Sequence, residues 1–143
     1  MRVIQLSPRD TDMATREMVD TFFLKELPNR GPAGKFRLTR TRVAEHGLSP
    51  GERLLFAYRG LCVYQARVLS GRVENQDEKR ETYPYYFCVD KDSLVKASGS
   101  LSDLEQELHQ LGLLNKSLRS AGWASIDETL ELRDALDRIL GTV

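Results

Sequence analysis

Two cysteines and two histidines are all the thiol and imidazole ligands that the 143 residues offer. His46 and His109 have no Cys, His or paired carboxylate at ligand spacing, which excludes a zinc site and an HxE-type deaminase centre. Cys62 and Cys88 fall in strand-like segments among apolar neighbours. They read as buried free thiols of a reducing compartment, not as a disulfide framework or a nucleophile with its base. No GxSxG, Walker A or GxGxxG pattern occurs, so the common hydrolase, NTPase and Rossmann solutions are absent. The longest purely apolar run, Leu54 to Ala57, is four residues, against the ~20 needed to span a bilayer. The start, MRVIQLSPRD, breaks into Pro, Arg and Asp too soon for the apolar core of a signal peptide. The expectation is a soluble, cytoplasmic protein with no membrane partner.

Net charge is also missing, since 21 Lys+Arg meet 21 Asp+Glu. That excludes a uniformly basic, histone-like protein but not a polarised one. Residues 1–72 carry 13 basic and 7 acidic side chains, a net of +6, and residues 73–143 carry 8 and 14, a net of −6. The sharpest excess lies between Leu27 and Ala44, where Arg30, Lys35, Arg37, Arg40 and Arg42 stand with no acid among them. Such a run fits phosphates. It equally fits a solvated face neutralised by the acidic half of the same fold.

What is present reads as one domain, residues 1–143, with 41% hydrophobic residues for a core. Arg2 to Leu6 alternates as a first strand. A helix follows, capped by Thr11 or Asp12, with Ala14, Met18, Val19, Phe22, Phe23 and Leu27 at helical spacing and Pro28 as its stop. Residues 29–34 read as a loop, Lys35 to Thr41 as a strand, and Val43 to His46 as one helical turn. Arg53–Tyr58 and Leu61–Leu69 form alternating strands joined by a tight Arg59-Gly60 hairpin. Residues 72–81 are charged and without apolar period, hence an exposed loop. Tyr83 to Val89 is an aromatic strand with Pro84 near its start. From about residue 102 the chain turns helical. Ser102-Asp103-Leu104-Glu105 and Ser125-Ile126-Asp127-Glu128 both match the capping box, with Gly112 and Gly141 as stops.

Aromatic side chains beside a basic run suit a protein that holds an unstacked base, which needs a ring to stack on, a few polar groups for the base edge and cations for the backbone. Phe56, Tyr64 and Phe87 read as core. Tyr58, Tyr83 and Trp123 are the candidate stacking groups. Trp123 lies in a small-residue stretch that either presents its indole or plugs the end of a barrel. The candidate nucleic-acid contacts are Arg30, Lys35, Arg37, Arg40, Arg42 and Arg59.

The order of elements, with Pro50-Gly51-Glu52-Arg53-Leu54-Leu55-Phe56 at its centre, resembles the PUA-like barrel superfamily. It is most similar to the EVE and ASCH branches, which are related to the YTH readers of methylated RNA. Residues 50–56 resemble the family's Gly-Asp-x-Val-Leu-Phe, and Gly60 to Val68, with Ala66 ahead of a valine, resembles its next strand. The likeness covers about residues 34–130. Two features differ: RVIQL lacks the first-strand Trp of EVE domains, and AGKFRLTR lacks the Glu of the ASCH motif.

The resemblance implies an α+β fold, a mostly antiparallel, five- to six-stranded, partly closed β-barrel flanked by helices. It implies binding of RNA or DNA, with a modified or flipped base as a candidate ligand, and no cofactor or catalytic step. Two alternatives stay open. One is a small ASCH-like enzyme acting on a nucleoside amide or RNA, with Lys35 as base and Thr39 or Glu45 beside it. The other is a protein-interaction module, including a homodimer through the C-terminal helices.

Overall fold

A computed structural model describes residues 1–30, 34–38 and 48–141. Five strands form one curled mixed sheet: β1 (Arg2–Leu6), β2 (Gly34–Leu38), β3 (Arg53–Tyr58), β4 (Leu61–Glu74) and β5 (Tyr85–Lys96), in the order β1-β3-β4-β5-β2. β1 runs parallel to β3, with Ile4 opposite Phe56, and the other three pairings are antiparallel. The sheet is thus a half-barrel, neither closed nor wholly antiparallel. β1 and β2 are its two edges.

Alternation decides which side chains enter the curl. Ile4, Leu6, Leu54, Phe56, Tyr58, Tyr64, Val68 and Phe87 face inward and form one core with the first helical segment. Val3, Leu55 and Cys62 face the other way, against α2 (Leu101–Gln110) and α4 (Leu130–Ile139), which supply Leu104, Leu108, Leu132 and Leu136 to a second core. The sheet is therefore sandwiched. Burial pushes the Cys62 thiol up to about 11, so it is neutral and inert at neutral pH. Both cysteines are free.

The β3–β4 hairpin forms as its sequence predicts. Arg59 (φ 50°) and Gly60 (φ 81°) both take the left-handed conformation, the pair of positive angles that lets a two-residue turn follow the twist of its strands.

Other boundaries move, for reasons in the structure. The single helix expected over residues 14–27 has three parts. Thr15, not Thr11 or Asp12, caps α1 (Arg16–Thr21), and Asp10 caps the short turn before it. Phe22–Glu26 then widens into a π turn in which the Leu27 N–H donates to the Phe22 carbonyl. That extra residue turns Phe22 and Phe23 into the half-barrel together. The aromatic strand starts at Tyr85, leaving Tyr83 and Pro84 in the preceding loop, and the strand before it runs on to Glu74.

Neither capping box operates. Ser100 caps α2, accepting from the Ser102 and Asp103 N–H groups. Thr129 caps α4, because Glu128 is drawn away to the Arg53 side chain and lies 3.6 Å from Arg67 and 3.4 Å from Arg133. Three guanidiniums outbid one backbone N–H. Among the described residues, no helix is long and apolar enough to cross a membrane.

Candidate functional site

Because the sheet does not close, its two edge strands leave a gap, and a cavity of about 280 Å³ opens there. Ile4, Gln5, Leu6 and Ser7 line it from β1 and its exit, and Phe36, Arg37 and Leu38 from β2. Phe22 supplies a further wall from the π turn. Trp123 fills the rest of the gap, with its ring centroid 6.4 Å from Phe36 and 6.5 Å from Phe87, both edge-on. Its loop is held by Arg2, whose Nη1 donates to the Trp123 carbonyl at 3.2 Å and whose Nε donates to Glu52 at 3.0 Å. Half-buried, Trp123 both plugs the open barrel and offers a ring surface to the cavity.

The rim is polar. Asp10, Asp12, Arg30, Lys79 and Tyr83 join Gln5, Ser7 and Arg37 around it. Arg30 lies over the Phe22 ring, 4.9 Å from its centroid, and makes no ion pair among the described residues. Burial, with the neighbouring Arg37 charge, lowers its pKa. The Tyr83 hydroxyl is pushed up by burial and by the charges of Asp10 and Asp12, so it stays protonated and able to donate.

Lys79 and Tyr83 reach the rim on a loop, residues 75–84, that is tied down from within. Asp77 Oδ2 accepts from Lys35 Nζ at 2.8 Å and from Arg37 Nε at 2.9 Å. Its Oδ1 accepts from the Asn75 side chain at 2.9 Å and from the Lys79 N–H at 2.8 Å. Asn75, buried, also donates to the Tyr83 carbonyl at 2.8 Å. These bonds hold the Asp77 carboxyl well below the usual carboxylate range, although burial alone acts in the opposite sense.

The expected site residues therefore divide. Arg30, Arg37, Tyr83 and Trp123 come together at one cavity. Lys35 does not line it: its ammonium is bound to Asp77 and stands 4.4 Å from the Tyr86 ring centroid. Tyr58 is not a stacking group. It is 3% exposed, facing inward with Leu54 and Phe56, and its hydroxyl donates to the Met13 carbonyl at 2.8 Å. Arg59 sits at the hairpin turn over the Tyr58 ring, outside the cavity lining. Thr39, Arg40, Arg42, Glu45 and the helical turn expected at Val43 to His46 lie outside the described residues.

Sequence reading missed Asp10, Asp12, Phe22 and Lys79. Asp12 reads as a helix cap, Asp10 has no assigned role, Phe22 reads as part of the first helix's apolar stripe and Lys79 as part of an exposed loop. Only the parallel β1–β3 pairing and the Asp77 clasp bring them to one place. Compared with protein-family models, with curated proteins and with solved structures, the chain matches none.

Proposed function

We propose that the half-barrel is a PUA-like nucleic-acid-binding domain that holds one unstacked base in the cavity between β1 and β2. The observation that carries this is a single cavity with aromatic walls, Phe22, Phe36, Tyr83 and Trp123, and cations at its mouth, Arg30, Arg37 and Lys79. Its 280 Å³ falls at the small end of ligand sites, which run from about 300 Å³ upward. That size suits one base better than an extended ligand. The base enters against the Trp123 and Phe36 rings, and Lys79 and Arg37 meet the flanking phosphates. Arg37 keeps part of its guanidinium at the cavity while its Nε and Nη2 hold Asp77. The curled half-barrel flanked by helices is compatible with the PUA-like reading. Neutrality of the whole chain does not oppose it, because three cations, Arg30, Arg37 and Lys79, stand at the rim against two carboxylates, Asp10 and Asp12.

Fluorescence anisotropy with short single-stranded RNA and DNA tests the proposal. Trp123→Ala is expected to weaken binding roughly 5- to 150-fold, the worth of one base stack at about 1–3 kcal/mol. Lys79→Ala is expected to flatten the plot of log affinity against log salt by about 0.7, one phosphate contact on a single strand. Arg138→Ala, on the exposed face of α4, is expected to leave that slope unchanged. An affinity indifferent to salt, or no binding to single strands and duplexes alike, contradicts the proposal.

A further inference from the structure

The cavity rim has an asymmetry that a general base-stacking site does not need. It carries a carboxylate, Asp12, and a guanidinium, Arg30, with no ion pair between them among the described residues. Tyr83 lines the same opening, and the charges of Asp12 and Arg30 both act on its hydroxyl. Asp10 is partly committed, since its Oδ1 accepts from the Asp12 N–H at 3.0 Å. The Asp12 side chain itself has no hydrogen-bond partner among the described residues. An acceptor pair and a donor fork thus border one aromatic slot without an ion pair between them among the described residues.

A carboxylate accepts two parallel N–H groups, and a guanidinium donates two. Guanine is the one common base that matches both. Its N1–H and N2–H2 form an adjacent pair of donors on one edge, and its O6 and N7 an adjacent pair of acceptors on the other. Adenine and cytosine set each amine beside an acceptor nitrogen, which a carboxylate repels. Uracil flanks its one N–H with two carbonyls, which a carboxylate repels in the same way. Resting on the base-pocket reading above, we infer that the cavity selects guanine, with Asp12 on the N1–H and N2–H2 edge and Arg30 on the O6 and N7 edge. The Tyr83 hydroxyl and the free amide of Gln5 complete the rim, and Lys79 takes the 5′-phosphate.

The test is a calorimetric titration of the intact protein with GMP, AMP, CMP, UMP and IMP, with quenching of the lone Trp123 showing that the ligand enters the cavity. GMP is expected to bind at least about tenfold more tightly than AMP, CMP or UMP, the usual worth of one good bidentate base contact. IMP, which lacks only the N2 amine, is expected to bind less tightly than GMP by about fivefold or more. Asp12→Asn is expected to remove the GMP-over-IMP preference, and Asp12 is exposed enough for the variant to fold. Equal affinities for all five nucleotides, with Trp123 quenched in each, overturn guanine selection and leave the base pocket standing. Binding of none of them, together with no binding of single strands, removes both.

Discussion

Asp77→Ala is expected to weaken binding of a short single strand about tenfold at physiological salt while making that binding more salt-dependent. The two effects have separate causes. Without its carboxylate the 75–84 loop loses the bonds from Lys35, Arg37, Asn75 and the Lys79 N–H. Lys79 and Tyr83 are then no longer held at the rim, and binding must order them afresh. At the same time Lys35 and Arg37 lose their counter-charge, which adds sequence-independent phosphate attraction and steepens the salt slope. If Lys35, outside the cavity, were instead a main phosphate contact, freeing it would tighten binding, so the sign of the change decides between the two arrangements.

The same substitution is expected to lower stability by about 2–3 kcal/mol, since it removes charge-assisted bonds that are partly shielded from water. The pH dependence has a defined sign. A carboxyl held below its ordinary 3.8 contributes stability that is complete above the unfolded value. That contribution is lost as the pH falls from there toward the folded value. Thermal melts of the wild type and Asp77→Ala are expected to differ by a constant amount above about pH 5 and to converge below about pH 4.

Phe23→Ala is expected to cost about 3–5 kcal/mol, the range for emptying a buried aromatic site. Phe23 is fully buried, stacks on Tyr64 at 4.6 Å and 19°, and meets Phe56 at 4.7 Å and Phe22 at 5.0 Å. Tyr64 cannot swing in to fill the space, because its hydroxyl donates to Asp20 at 2.7 Å. The loss is about a fifth or more of the ~5–15 kcal/mol usual for a domain, and a midpoint lower by roughly 10–15 °C is the expected result. A loss under about 1.5 kcal/mol in denaturant titration contradicts the packing of the π turn against the sheet.

What could be read in advance followed from local rules. The Arg59-Gly60 hairpin rests on two neighbouring residues with positive φ, and the inward set Leu54, Phe56 and Tyr58 rests on period-two alternation. That alternation also marks Tyr58 as an interior residue, which outweighs its chemical suitability for stacking. Some failures are local, such as the cap at Thr15 in place of Thr11 or Asp12, but those that decide the site are long-range. The capping box at Ser125 is sound as a pattern, yet Glu128 is claimed by an arginine 75 positions away. Lys35 looks like a free cation until Asp77, 42 positions on, meets it. The cavity itself owes its existence to a sheet that stops short of closing, and no window of sequence reports that two edge strands leave a gap. Trp123 was legible as an unusual aromatic, but its place in the gap depends on Arg2 holding its loop from the first strand.

The split of +6 and −6 between the halves resolves along the same lines. Part of it cancels inside the fold, at Asp77 with Lys35 and Arg37 and at Glu128 with Arg53 and Arg67. Arg30 and Lys79 stay outside those pairs, at the cavity.

The chain has one tryptophan, so its indole N–H gives a single, assigned-by-composition resonance in a nitrogen–proton correlation spectrum. Titrating single-stranded RNA while following that resonance tests the cavity most directly. Binding through the cavity predicts that the Trp123 indole signal shifts with the same concentration dependence as the amides of Tyr83 and Arg37, and that Arg138 on α4 stays still. An indole signal that does not move while the oligonucleotide binds elsewhere contradicts it.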